Sequence, residues 1–167
     1  LDGLSSGISS IFYLTIGIIA FFQGRVDSLD ITLSFIMLGA TMGFLVHNFN
    51  PARLFAGEAG SSFMGFIIAI ISLLGYKGTF VTSFIVPITI LGVPILDTLF
   101  AILRRKLKGK PIFEGDKEHL HHQFLKMNFS QRGTVLTIYA INILFSLASI
   151  FYALQDPKKG LIIYFIL

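Results

Sequence analysis

Three of the four histidines in this chain, His119, His121 and His122, lie within four consecutive residues. They belong to a polar segment, 104–133, that also carries eight of the 13 lysine and arginine residues. Imidazoles donate and accept hydrogen bonds near neutral pH, and fixed cations attract anions. The segment therefore predicts a phosphate-binding site, with the three histidines as catalytic candidates.

Two other interpretations of the histidines stay open. A zinc site would draw on nearby acids, but the chain has no cysteine and no HExxH pattern. The acids in question are Glu114, Asp116 and Glu118. A solvated loop with a purely structural role is the second alternative.

A second polar segment, 47–62, has a single acidic residue, Glu58, between Gly57 and Gly60. We expect Ser61 or Ser62 to cap the helix that follows, so that its first N–H groups face an anion site. A carboxylate beside bound phosphates is a common way to hold Mg²⁺. Glu58 is therefore a candidate metal ligand, with a solvated loop charge as the alternative.

Asp97 is an acidic residue inside a predicted membrane span, where ionisable groups are rare and usually face a cavity or a partner. It is a catalytic candidate, and pairing with Arg104 or Arg105 is the alternative.

In segment 47–62, the amide of Asn48 suits the polar edge of a base, and the ring of Phe55 suits stacking. Burial of Phe55 in the membrane interface is the simpler explanation for that ring.

The elements that must position these side chains are apolar helices. Hydrophobic residues make up 54% of the 167, and the mean hydropathy is +0.80. Soluble domains are nearer 45–50% apolar.

The net charge of +4 is concentrated in one segment, which indicates topology and anion binding rather than nucleic-acid binding. The absence of cysteine excludes disulfides and thiolate metal sites.

The apolar runs predict an all-α, polytopic transmembrane helix bundle that forms one integral-membrane domain over residues 1–167. We expect about five full spans and a truncated sixth that begins at Leu161. The third is short enough to be tilted or partly re-entrant, and the fourth has kink sites at Pro87 and Pro94. The five spans are Leu4–Phe22, Leu29–Val46, Ser61–Leu74, Thr79–Leu103 and Thr134–Leu154. Two GxxxG spacings, Gly3/Gly7 and Gly39/Gly43, indicate close helix packing.

Charge sets the expected topology, because cytoplasmic loops are enriched in lysine and arginine. The basic segment 104–133 should therefore be a cytoplasmic active-site loop. Counting spans from it places Asp2, segment 47–62 and segment 104–133 on the same face of the membrane. The loops near 23–28, 76–78 and 155–160 then lie on the other face, where Lys158 and Lys159 fit poorly.

Four stretches together resemble the polyprenyl-phosphate N-acetylhexosamine-1-phosphate transferases of glycosyltransferase family 4. They are LDGLSSG at 1–7, NFNPARLFAGEAGS at 48–61, PILDT at 94–98 followed by two arginines, and a stretch from 111 to 132. That last stretch contains PIF, DK, HLHH and S-x-R in order. The HxHH form with a preceding PIF is similar to the branch that begins teichoic acid and other envelope glycans.

The resemblance implies a role for each matching position. Glu58 takes the place of an Asp that binds Mg²⁺, with Mn²⁺ as a substitute. Asn48 and Phe55 match positions that hold and stack uracil, and Asp2 matches an acid near the nucleoside. The three histidines match a diphosphate motif. Asp97 is grouped with them as catalytic, and Arg104 and Arg105 with the substrate-binding residues.

The implied reaction transfers N-acetylglucosamine 1-phosphate from UDP-N-acetylglucosamine to undecaprenyl phosphate and releases UMP. The implied setting is the bacterial plasma membrane, with the active site on the cytoplasmic face and homodimerisation left open. Three alternatives are transfer of phospho-N-acetylmuramoyl-pentapeptide, a transporter segment and an inactive truncated relative. Because the family's acidic motif would lie upstream of Leu1, we expect a fragment of a longer chain that is inactive when isolated.

Overall fold

The computed structural model describes residues 1–75, 80–109, 111 and 119–154. Within these ranges all regular structure is helical, so the all-α prediction is confirmed. The helices in chain order are α1 (Leu4–Phe22), α2 (Leu29–Asn48), α3 (Gly57–Leu74), α4 (Phe80–Ile90), α5 (Gly92–Leu107), α6 (Leu120–Lys126) and α7 (Gln131–Leu154).

Four of these helices, α1, α2, α3 and α7, are each long and apolar enough to cross a membrane. The pair α4 and α5 supplies a fifth candidate span, although the two helices are bent by 80°. The chain is thus a multi-pass membrane protein, as predicted. The expected sixth span from Leu161 lies outside the described residues.

The fourth span, predicted with kink sites at Pro87 and Pro94, is broken into two helices, a sharper change of direction than a kink. The break lies at Leu91, whose N–H closes α4 on the Pro87 carbonyl and whose own carbonyl accepts from Ile95 in α5. Pro94 has no N–H for the carbonyl of Ile90, and Gly92 weakens the helix at the same turn. The two effects fall within one turn, and α5 leaves the direction of α4 there.

Helix α3 begins at Gly57, earlier than the predicted Ser61. The expectation that Ser61 or Ser62 caps this helix is therefore wrong. The Ser61 hydroxyl instead donates back to the carbonyls of Gly57 and Glu58 inside the first turn. Gly57 has φ +62°, a conformation that glycine adopts without the Cβ clash of other residues. Glu58 consequently stands in the first turn of α3 rather than in a loop.

The core is organised around α1, which packs against α2, α3, α4 and α7. Large α1 side chains such as Phe12, Tyr13 and Ile16 are fully buried, and Ile71 of α3 joins them. The Tyr13 hydroxyl donates to the Met64 carbonyl of α3 over 2.9 Å, which satisfies its polar end in an apolar setting. The helix that follows Asp2 is thus the central helix of the bundle, and the other helices pack around it.

At one end of the bundle, Arg25 ties the α1–α2 connection to the end of α3. Its guanidinium donates to the Asp30 carboxylate and to the Gly75 carbonyl. Asp30 is almost completely buried, so this pairing offsets the cost of placing its charge away from water. This end is opposite to the one where α1 and α3 begin.

The two GxxxG spacings behave differently. Tyr139 of α7 lies directly against Gly7, which confirms close packing at that position. Apart from the local backbone of α2, no atom within the described ranges comes within 4 Å of a Cβ built at Gly39 or Gly43. Close packing at this second pair is therefore not found in the described part of the chain.

Candidate active site

The three polar segments predicted to share one face meet directly. The Asp2 carboxylate accepts from the Asn50 side-chain amide over 3.1 Å and from the Ala52 backbone N–H over 3.3 Å. The same Asn50 amide donates to the Gln131 side-chain oxygen at 2.7 Å. Arg132 Nε donates to the Asn50 carbonyl at 2.8 Å. The predicted convergence is confirmed, since these residues come from the start of α1, the α2–α3 loop and the start of α7.

Asn48 is buried at the last position of α2 and connects two of these segments. Its side-chain oxygen accepts from the Gly3 N–H at 3.1 Å and from the Ser6 hydroxyl at 2.9 Å. Its amide nitrogen donates to the Leu54 carbonyl at 2.8 Å. Contact with uracil stays a prediction, and in this structure the Asn48 amide holds the α2–α3 loop against α1.

An Asn48→Ala substitution should therefore lower the free energy of unfolding by about 2 kcal/mol, because it leaves buried polar groups without partners. Ser6→Ala removes only one of the bonds and should cost less. Thermal unfolding in one detergent, measured beside UMP binding, checks both. An unchanged unfolding midpoint with weaker UMP binding would contradict the proposed bracing of the loop and favour direct contact with the base.

Phe55 lies further along the same loop, and Glu58 lies in the first turn of α3. The Phe55 side chain is 73% exposed, so its ring is available for stacking. The Glu58 side chain is exposed, and its carboxylate forms no hydrogen bond or ion pair with the described residues. It stands at a helix N-terminus, where the backbone favours negative charge, including that of a phosphate.

The side chains present suit a metal site in which the protein supplies few ligands and the substrate and water supply the rest. The described residues contain no group of three or more His, Cys, Asp or Glu side chains placed to hold a metal ion. Mg²⁺ usually takes one or two carboxylates together with substrate phosphates and water. A single free carboxylate at Glu58 fits that pattern. Glu114, Asp116 and Glu118, which the zinc alternative needed, lie outside the described residues.

The histidine motif forms one compact group at the start of α6. His119 immediately precedes the helix, and its ring stacks almost parallel on that of His121, with centroids 5.8 Å apart. The ring of His122 follows at 4.2 Å from His121. Burial is the largest cause that holds the pKa of His121 below its ordinary value, and neighbouring basic groups, His122 first among them, lower it further. At pH 7 we therefore expect His121 to act as a neutral hydrogen-bond donor.

Asp97 joins the histidine group through α5. One carboxylate oxygen lies 3.1 Å from His119 Nδ1, and the other accepts from the Leu120 N–H at 2.8 Å. Arg104 and Arg105 follow in the last turn of the same helix. Arg104 lines a cavity of about 300 Å³ together with Asp97. The structure thus brings Asp97 and His119 together.

An apolar cavity of about 680 Å³ lies between α1, α3 and α5. Its lining includes Leu1, Ser61 and Thr98. Leu1 precedes Asp2, Thr98 follows Asp97, and Ser61 lies one helical turn after Glu58. The three acidic candidates thus stand on elements that border a single apolar space.

Sequence reasoning missed this cavity because ordinary apolar residues of separate spans line it, such as Leu4, Ile68 and Ile95. It also missed the polar contacts of Asn50, Gln131 and Arg132. The only sequence signals for those contacts are an asparagine before Pro51 and the S-x-R string near the start of α7. Neither signal identifies a partner.

Comparison with known proteins gives a consistent family. Residues 1–76 match the model of glycosyl transferase family 4. Over its whole length the chain is 45% identical to a Bacillus subtilis protein named probable undecaprenyl-phosphate N-acetylglucosaminyl 1-phosphate transferase, of which it covers 46%.

Two further relatives are more distant. A Mycobacterium tuberculosis decaprenyl-phosphate N-acetylglucosaminephosphotransferase is 34% identical over 83% of the chain and 39% of that protein. A Moorella thermoacetica phospho-N-acetylmuramoyl-pentapeptide-transferase is 32% identical over 90% of the chain and 45% of that protein. The chain spans less than half the length of each of these relatives. The match to the family model and the similarity to these transferases together assign the chain to glycosyl transferase family 4.

Proposed function

We propose that the complete protein transfers N-acetylglucosamine 1-phosphate from UDP-N-acetylglucosamine to undecaprenyl phosphate and releases UMP. The observation that carries this proposal is the apolar cavity bordered by the elements that bear Asp2, Glu58 and Asp97. A lipid phosphate needs both an apolar path for its chain and polar groups for its head. The name of the B. subtilis relative supports the lipid and the sugar.

In the proposed reaction, an oxygen of the lipid phosphate attacks the phosphorus bonded to the sugar. The bond from that phosphorus to the UMP oxygen breaks in line, and UMP leaves with the electron pair. Enzymes catalyse such transfers largely by positioning the reactants and neutralising their charge. The nucleophile has a second pKa near ~6 and is already largely ionised at neutral pH.

Different residues of this chain would position the reactants and neutralise their charge. Phe55 would stack on the uracil, with Asp2 and Asn50 nearby for the nucleoside. His121 and His122 would donate N–H bonds to the diphosphate, with His121 as a neutral donor. Glu58 would hold Mg²⁺, or Mn²⁺ in its place, and the bound ion would neutralise phosphate charge as UMP departs.

We also propose that this end of the bundle faces the cytoplasm, because the soluble nucleotide sugar is supplied there and segment 104–133 is strongly basic. The chain has no cysteine, so single cysteines introduced at Ser62 and Gln123 can be labelled without background from it. Both should react from the cytoplasmic side. Labelling from opposite sides would end the proposal of one shared site.

The decisive experiment is an assay of the complete protein with undecaprenyl phosphate, Mg²⁺ and either UDP-N-acetylglucosamine or UDP-N-acetylmuramoyl-pentapeptide. We expect UMP release that depends on the lipid and on the first donor. Release with the pentapeptide donor alone would assign the protein to the other transferase activity. A folded protein that releases no UMP with either donor would contradict both.

A further inference from the structure

We propose that Asp97 is a positioning residue for His119, and that its carboxylate selects the tautomer in which Nδ1 carries the proton and Nε2 faces the substrate. This inference rests on the proposed function, because it assigns the substrate-facing atom of the histidine group. It differs from the sequence-based prediction that Asp97 is itself catalytic.

The first argument is that both oxygens of Asp97 are engaged by the histidine segment. One is 3.1 Å from His119 Nδ1, and the other accepts the Leu120 N–H at 2.8 Å. Because these groups are consecutive in the chain, the carboxylate holds both the imidazole and the first backbone amide of α6. A group committed in this way acts through His119 rather than by touching a phosphate.

The second argument is chemical. A carboxylate can only accept hydrogen bonds, so the proton of a neutral His119 must reside on the nitrogen that faces Asp97. Nε2 is then an acceptor in the neutral ring and a second donor in the protonated ring. Carboxylates that orient functional histidines elsewhere act in this manner. His121 is affected as well, because its ring stacks on that of His119.

The third argument concerns the surroundings of the pair. The side chains of Asp97 and His119 are only 21% and 28% exposed. Asp97 and Leu120 line the cavity of about 300 Å³ between α5, α6 and α7, where Phe100 and Phe145 supply apolar walls. A hydrogen bond is electrostatically stronger where water is limited. Glu58 contrasts with this, since its carboxylate is exposed at the start of α3.

The test is Asp97→Asn in the complete protein. The new side chain can still accept the Leu120 N–H, but it presents an N–H to Nδ1 and should reverse the tautomer. Nitrogen-15 spectra of histidine-labelled protein, with His119→Gln to assign the signal, should show Nδ1–H in the parent and Nε2–H in the variant. We expect kcat for UMP release to fall about 10- to 100-fold, the usual loss when an orienting partner is removed. KM values should change little.

Asp27→Asn is the matched control, because Asp27 is an exposed acid in the α1–α2 connection at the opposite end of the bundle. It should alter neither the spectrum nor kcat. Asp97→Glu, which retains a carboxylate, should keep the Nδ1–H form and recover part of the rate.

An Nε2–H signal in the parent protein would overturn the proposal. So would an Asp97→Asn protein that unfolds at a lower temperature while His119 keeps Nδ1–H, because that result would make Asp97 a structural contact only. The spectra do not require turnover. If no donor supports UMP release, the proposed function fails while the tautomer assignment is still decided on its own.

Discussion

A Gly7→Ala substitution should destabilise the bundle by about 3 kcal/mol, the upper part of the usual range for overpacking a core. A Cβ at Gly7 would overlap Oη and Cζ of Tyr139 and lie 2.5 Å from Cε1. The ring cannot move aside without loss, since its hydroxyl donates to the Gly3 carbonyl. Displacing Tyr139 would also disturb Gly3, which bonds to Asn48 in the candidate site.

Gly39→Ala and Gly65→Ala are the matched controls, because no described atom beyond the local helix backbone lies within 4 Å of a Cβ at either position. Both glycines are in helices, where alanine is favoured by up to about 1 kcal/mol. The thermal unfolding midpoint in one detergent should fall for Gly7→Ala and stay level or rise for the controls. Tyr139→Ala in the Gly7→Ala background should recover part of the loss. Equal midpoints for all three glycine variants would contradict this packing.

The second large effect is expected at Glu58. Glu58→Gln keeps the size of the side chain and removes its charge at the start of α3. We expect kcat for UMP release to fall about 10²- to 10³-fold, the loss that follows removal of one group stabilising transition-state charge. Because the side chain is exposed, the unfolding midpoint should change little, with only the modest loss of a favourable charge at a helix N-terminus.

Glu58→Asp tests the metal assignment more closely. The shorter acid restores the residue that the resemblance places here, and Mg²⁺ requires near-octahedral geometry. We expect higher Mg²⁺-dependent turnover than in the parent protein. Asp27→Asn again serves as the charge control and should leave the Mg²⁺ dependence unchanged. Full activity in Glu58→Gln at every Mg²⁺ concentration would remove this residue from the metal site.

Helix α1 illustrates what a sequence can predict about this fold. Its bounds, Leu4–Phe22, match the predicted span, because membrane helices are selected by a local property, the length of an apolar run. The meeting of Asp2 with the α2–α3 loop also followed from local information, since spans of similar length alternate direction. Predicting that Asp2 and the α2–α3 loop lie on one face required only a correct count of the membrane spans between them.

The fourth span shows where that reasoning failed. Pro87 and Pro94 predicted kinks, but the size of a bend depends on what packs against the unpaired carbonyls and on the neighbouring Gly92. The same difficulty affected the start of α3, where Gly57 at positive φ begins the helix before the serines expected to cap it. Both errors arose at positions where proline or glycine changes the backbone conformation, although the apolar pattern there is typical of a membrane helix.

Residue types and the order of the apolar runs thus determined the membrane class and the group of polar segments that must meet, and the four motif stretches determined the family resemblance. Only the tertiary structure decided the contacts. The pairing of Asp97 with His119 and the approach of Tyr139 to Gly7 each join residues from different helical segments. The 80° angle between α4 and α5 is likewise not encoded by any local pattern. The physical reason is that hydropathy acts on each segment separately, whereas a hydrogen bond or a close packing contact depends on the relative placement of two segments.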